Sequence, residues 1–411
     1  MPLIPRLQKY FAKPKSRTEI LYRSDRQPQG ASISDVFDSE HYKNLCQTKV
    51  VVDGQELSHC FFSDKRDIAF STCLDSYLLY KRRRGGPSAT PIVLQIYNLK
   101  PEIRTHLTRL ICLGVIPGPK TPKRLSTFLI PLDMECALLA KGVDTYDCIH
   151  HKYFPLHAYN IFQQGDINAI EKFLNIKGHN GFSPCRSCEI KAVNDARGSG
   201  DKTYYVPLMH PGASKGWDPC DLPNRQHKDW TTITANIQQT IKKKDQKALA
   251  FHYGIKGMPG LTLVNSLNYA RGMPWDFMHL LFENVVKNLV HLWTGRFKGL
   301  DDGVYDYIFP EHIWEEIGAE TVAAVRNIPA AFVRALGNIA KDQSNFTAEG
   351  WAFWFLYLAP ILLKTRLNDR CYKHMVHLVE IMKTCIQFSL THDEIDELEN
   401  DIISWVQEYE K

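Results

Sequence analysis

A chain of 411 residues exceeds the usual single domain of roughly 100–200 residues, so two units or one core with a large insertion are expected. Its composition, 44% hydrophobic, 11% aromatic and 23% charged, excludes wholesale disorder and a small disulfide-stapled scaffold. The net charge of +5 understates the local pattern: residues 76–125 hold ten Lys/Arg against one acid, Glu102, whereas 386–411 hold eight acids against Lys411 alone. This pattern implies a basic face suited to a polyanion and an acidic C-terminal helix.

The N-terminus MPLIPRLQKYFAKPKS has no apolar stretch of signal-peptide length, so the eleven cysteines are expected as reduced thiols in an intracellular compartment. The longest apolar run, WAFWFLYLAPILL at 351–363, is broken by Pro360 and is shorter than the ~20 residues that cross a bilayer. It reads as a buried helix, and no membrane partner is expected.

Residues 1–64 read as a polar lead-in, its first 45 residues weakly packed and mobile. From Asp67 the pattern changes, and IAFSTCLD, PIVLQIYNL and LTRLICLGVIPG predict three strands in meander order, the first two joined by the basic turn KRRRGGPSAT. KRLSTFLIPLDMECALLAKG predicts a helix ending at Gly142 despite Pro131. YFPLHAYNIFQQGD predicts a fourth strand and INAIEKFLNIKG a helix stopped by Gly178, giving the order βββαβα. Residues 179–223 are loop-like around one short strand candidate, TYYVPL. Residues 224–340 read mainly as helices, among them DFMHLLFENVVKNLVHLWTG and ETVAAVRNIPAAFVRALGNIA. Two apolar helices and the acidic one at 391–411 complete the chain.

In a mixed sheet of this order the fourth strand lies beside the first, which brings Asp75 and Asp166 together at neighbouring strand ends. Two such carboxylates repel, and a divalent cation is the usual compensation; a pair of Mg²⁺ ions about 4 Å apart suits phosphodiester cleavage. The bland alternative is that Asp75 opens a turn and Asp166 caps the helix beginning at Ile167. The other cluster with chemistry is Cys185-Arg-Ser-Cys188, half of a tetrahedral Zn²⁺ site. His279, His179 or another imidazole could complete it; a redox pair and two unliganded thiols are the alternatives.

The runs LDSYLLYKRRRGG, PIVLQIYNLKPEIRTHLTRLICLGVIPGPK, GDINAIEKFLNIKGHNGFSPCRSCEIK and MPWDFMHLLFENV together resemble the transposases of CACTA (En/Spm-type) DNA transposons, especially the fungal branch, over about residues 65–405. The resemblance implies a mixed α/β fold: an RNase H-like βββαβ core with a large helical insertion and a helical C-terminal part. Its implied divisions are the core's first part at 65–178, a CxxC zinc-loop segment at 179–223, the helical insertion at 224–340 and C-terminal helices completing the core at 341–411. It further implies a DDE/D acidic triad with Mg²⁺ or Mn²⁺, in which Asp75 and Asp166 are the first two acids. Asp75 is followed by Ser76, where the family commonly has glycine. Glu349, at the start of an apolar helix, is the expected third acid and Glu283 its rival, although a glutamate there is also an ordinary favourable first-turn charge. The resemblance also pairs the CxxC with the Asp276-Phe-Met-His279 element, making His279 a zinc ligand; a cap that orients its own helix is the other use of Asp276.

Lys81, Arg82, Arg83 and Arg84 form a cationic turn just after Asp75, and phosphate contacts are the physical use for four adjacent cations. A solvated turn is the alternative, and no helix-turn-helix or two-Cys-two-His finger accompanies it. The resulting expectation is a DNA transposase core in the nucleus, acting on transposon ends and target DNA, with a homo-oligomer compatible with that role. A catalytically inactive, transposon-derived DNA-binding or interaction protein is the other reading.

Overall fold

The computed structural model describes residues 2–27, 30–80, 86–118, 122, 124–179, 181–194, 203–297 and 305–411. Two short helices, α1 (Ile4–Phe11) and α2 (Pro14–Glu19), precede the main sheet. The run IAFSTCL forms β1 (Ile68–Leu74), and six of its seven residues are buried. A strand apolar on both faces belongs at the centre of a sheet covered on both sides. β1 pairs antiparallel with β2 (Ser88–Ile96), Phe70 opposite Ile96 and Leu74 opposite Ile92. β2 pairs antiparallel with β3 (Ile111–Pro117). β4 (Ala158–Gly165) lies parallel to β1 on its other side, from Ala158 opposite Ile68 to Gly165 opposite Leu74. The spatial order is therefore β4-β1-β2-β3, and Tyr77–Leu78 extend the pairing along the start of β2.

The parallel return from β3 to β4 requires a crossover, supplied by α3 (Ser126–Lys141). α3 buries Leu129, Leu132, Cys136 and Leu139 and ends at Gly142, whose φ of +98° glycine adopts without steric cost. Pro131 sits inside the helix, near its start. The single strand expected over 153–166 is two: Val143–Asp147 pairs with Lys152–Leu156 as a separate hairpin, and β4 starts only after His157. His157 is itself buried, its Nδ1 3.0 Å from Asp67 Oδ1.

The lead-in is not weakly packed. α1 places Leu7 and Phe11 on one face, and with Leu3 just before it all three are completely buried. The amides of Leu3 and Ile4 donate to the Glu135 carboxylate on α3. α2 carries Arg17, whose guanidinium reaches Asp147 of the hairpin at 3.0 Å with both side chains buried. Arg26 pairs with Asp38 at 2.7 Å and Arg104 with Asp35 at 3.1 Å. Buried charges of this kind persist only when paired and hydrogen-bonded.

The chain divides into two compact units, Met1–Pro274 and Trp275–Lys411. The second has its own core, in which Trp293, Trp314, Trp351, Trp354 and Trp405 are buried. Trp354 Nε1 donates to Thr321 Oγ1 at 3.1 Å. Met278–Val285 and Trp354–Leu358 are wound as π-helix, a form often found at functional positions. The helix expected over ETVAAVRNIPAAFVRALGNIA is Glu311–Val325 and stops there; Pro329 lacks an amide donor and disfavours helical backbone at Ile328. The acidic helix His392–Tyr409 begins with a Thr391/Glu394 capping box, and its first-turn acids suit the positive helix end.

Candidate active site and cysteine loop

Asp75 and Asp166 each lie one residue beyond the paired residues Leu74 and Gly165. Neighbouring strands run about 4.8 Å apart, so the two aspartates leave the sheet side by side. Just below them Thr72 Oγ1 donates to Gln163 Oε1 at 2.5 Å, tying β1 to β4. Asp75 is exposed and makes no hydrogen bond or ion pair among the described residues. Its neighbour Ser76 bonds through its hydroxyl to Thr90 Oγ1 of β2 at 2.6 Å.

Asp166 caps α4 (Ile167–Phe173): its Oδ1 accepts from Ala169 N at 2.6 Å. The cap and the meeting of two acids therefore coexist, because an N-cap uses one carboxylate oxygen. Gly165 is required by contact as well as by backbone. Its φ is +154°, and a Cβ there would lie 2.7 Å from Leu74 O and 2.9 Å from Ala169 Cβ. Gly165→Ala is expected to push the two acid-bearing strand ends apart and to lower stability by roughly 1–3 kcal/mol, read as a shifted urea midpoint; an unchanged midpoint would show that the ends tolerate separation. Spacing along the chain carries no sign of this steric role for the glycine before Asp166.

Glu283 and Glu349 both belong to the second unit. Glu349 lies in the first turn of the helix Ala348–Phe353, which Thr347 caps by accepting from Gly350 N at 3.3 Å. Its carboxylate is half exposed, with Arg334 Nε 4.0 Å away. Glu283 is part-buried in the π-helical stretch. Lys81, Arg82, Arg83 and Arg84 lie outside the described residues.

The cysteine loop is locked locally. Cys188 forms a bridge with Asn224, Glu189 N donates to Pro223 O and Arg225 N to Ser187 O, each at 2.9 Å. Arg225, buried, sends Nε to Cys185 O at 3.0 Å and Nη2 to Ser183 Oγ and Tyr253 O at 2.8 Å each. Cys185 Sγ accepts from the amides of Ser187 at 3.3 Å and Cys188 at 3.4 Å. The Cys188 thiol's hydrogen bond, helped by these amides and by the Arg225 charge against the opposing effect of burial, pulls Cys185 down to about 6, while Cys188, as the donor beside it, is pushed up. Nothing in the sequence marks Arg225, an isolated arginine 40 residues from Cys185.

Of the imidazoles, His179 Nδ1 stands 2.7 Å from Glu171 Oε1. His279 Nδ1 stands 2.7 Å from Asp276 Oδ2, and Asp276 Oδ1 accepts from His279 N at 3.2 Å. Asp276 thus both caps its helix and orients the ring, as carboxylates do behind metal-binding histidines. Among the described residues no three His, Cys, Asp or Glu side chains converge as a metal-ligand group, and no helix is long and apolar enough to cross a membrane.

No curated protein matches the chain. Residues 40–222, which contain β1 to β4, Asp75, Asp166 and the cysteine loop, match the transposase family tnp2. That match covers under half of the chain and supports assigning it to a transposase family.

Proposed function

We propose that this protein is the catalytic core of a CACTA-type DNA transposase, with an RNase H-like sheet and metal-dependent cleavage and transfer of phosphodiester bonds. The observation that carries this reading is the placement of Asp75 and Asp166 side by side at the ends of adjacent parallel strands, within the stretch that matches a transposase family. The sheet order β4-β1-β2-β3 with an α-helical crossover supports the RNase H-like comparison.

The two acids fit a divalent ion. Their donors are hard oxygens, Asp75 is exposed and engaged by no described residue, and Asp166 spends only Oδ1 on its cap. A bound Mg²⁺ or Mn²⁺ supplies activation of water and stabilisation of the leaving 3′ oxygen. The chain's own part is to hold two carboxylates at a fixed separation. The Thr72–Gln163 hydrogen bond and the close approach of Gly165 to Leu74 O set that separation. Glu349 is the proposed third acid. Nicking of supercoiled DNA with and without Mg²⁺ tests the reading, with Glu349→Gln and Glu283→Gln compared in parallel; an intact Glu349→Gln and an inactive Glu283→Gln would move the third carboxylate onto the helix of Asp276 and His279.

The cysteine loop is proposed as half of a structural Zn²⁺ site. A thiol drawn toward thiolate at neutral pH is the ligating form, and Cys185 is drawn there by the Cys188 thiol, fixed amides and Arg225. His279 is the proposed imidazole partner. Purified protein is expected to carry about one zinc per chain, lost in Cys185→Ser/Cys188→Ser; full thiol titration in wild type with no metal would end the idea.

A further inference from the structure

The first unit has a second cationic feature, apart from the paired aspartates. α1, the junction to α2 and the turn before β3 enclose a cleft of about 480 Å³ lined by Arg6, Lys9, Lys13 and Arg109, with hydroxyls from Ser16 and Thr108 and no acidic side chain. Arg6 and Lys9 are one helical turn apart, and Arg109 supplies a cation from the opposite wall. The nearest carboxylate contact is Glu19, whose Oε2 lies 2.9 Å from Arg109 Nη1; Arg6 Nη1 donates to Cys112 O at 3.1 Å. Lys9 and Lys13 are exposed and make no ion pair among the described residues.

We propose that this cleft binds the phosphate backbone of duplex DNA at a distance from the cleavage site; the inference rests on DNA being the substrate, as proposed above. Exposed Lys9 and Lys13 beside the Thr108 hydroxyl are the chemistry of phosphate contact, while the Ser16 hydroxyl is already spent on Tyr10 O at 2.9 Å. An acidic protein partner would want an apolar anchor at the centre, and the cleft's Ile111 is already part of the core. The position defines the role. Leu94 pairs with both Thr72 and Ile111, so the cleft's Ile111 lies level with Thr72, two strands across the sheet and three residues back along it from Asp75. Three residues along the strands and two strand spacings across them put Ile111 roughly 14 Å from Asp75. Contacts there add affinity and register on the duplex without touching the scissile phosphate.

The test is anisotropy of a labelled duplex of arbitrary sequence with the full chain over a series of KCl concentrations, beside nicking at saturating DNA. Lys9→Gln/Lys13→Gln, which removes two exposed cations and no structural contact, is expected to weaken binding uniformly across sequences. The slope of log affinity against log salt should fall by about 2, with nicking at saturation unchanged. Lys9→Glu/Lys13→Glu should move binding further in the same direction. Wild-type binding with an unaltered slope in both variants would overturn the cleft and leave the transposase reading standing. Lost nicking at unchanged affinity would also overturn it. Failure of the wild type to bind DNA even at low salt would overturn the DNA substrate and the cleft with it.

Discussion

Asp75→Asn and Asp166→Asn are each expected to reduce Mg²⁺-dependent nicking of supercoiled DNA at least about a hundredfold, while leaving the fold and DNA affinity in place. The substitution is chosen for what it preserves. Asparagine is as good an N-cap as aspartate, so at residue 166 the side-chain oxygen can still accept from Ala169 N and α4 keeps its start. At residue 75 the exposed side chain holds no contact among the described residues, so the amide costs nothing structurally. What each change removes is one negative charge and one hard anionic ligand. Urea midpoints within experimental scatter of wild type, together with lost nicking, would fix the role as chemical. Retained nicking in both variants would sink the two-aspartate reading, and equal loss of nicking and stability would make the acids structural.

The largest effect on stability is expected at Arg17. Asp147 is completely buried and accepts from Arg17 Nε at 3.3 Å and from Arg17 Nη2 and Ile149 N at 3.0 Å each, with His150 Nδ1 2.9 Å away. Arg17→Met leaves that carboxylate without its main partner and is expected to cost about 3–5 kcal/mol, releasing α2 from the hairpin. Arg17→Met/Asp147→Leu should recover much of the loss, because it removes both charges together. The pH dependence has a definite sign. Burial alone would raise the Asp147 carboxyl, but the Arg17 hydrogen bonds, His150 and the Ile149 amide outweigh it and hold the group well below the usual carboxylate range. A carboxyl depressed in the folded state contributes stability above its unfolded pKa of about 3.9, and that contribution is lost as pH falls below it. The wild type should therefore lose part of its urea midpoint between neutral pH and pH of about 3, and Asp147→Asn should show a shallower loss. An identical acid slope in that variant would count against the pair.

Three of the four strands of the main sheet, and the turns that bound them, were legible in the chain alone. Short β-branched runs between turn residues placed β1, β2 and β3 within a few residues, since period and punctuation are local properties. Asp75 and Asp166 were legible because a residue just past a strand end is exposed to whatever the sheet brings near it. The CxxC spacing was legible for the same local reason. The rest depends on contacts between distant parts of the chain. The N-terminal helices looked like a polar lead-in because their burial depends on α3 and the hairpin, about 130 residues away, whose Glu135 and Asp147 complete their hydrogen bonds. At the break, His157 makes a buried contact with Asp67, a pairing that no period in 153–166 encodes. Arg225 buttresses Cys185 through backbone carbonyls, which carry no side-chain signature in a sequence. The helix end at Val325, by contrast, is written in Pro329, although apolar periodicity continues on its far side. Local patterns report which element forms; the partners that satisfy buried charges and amides are chosen by the fold.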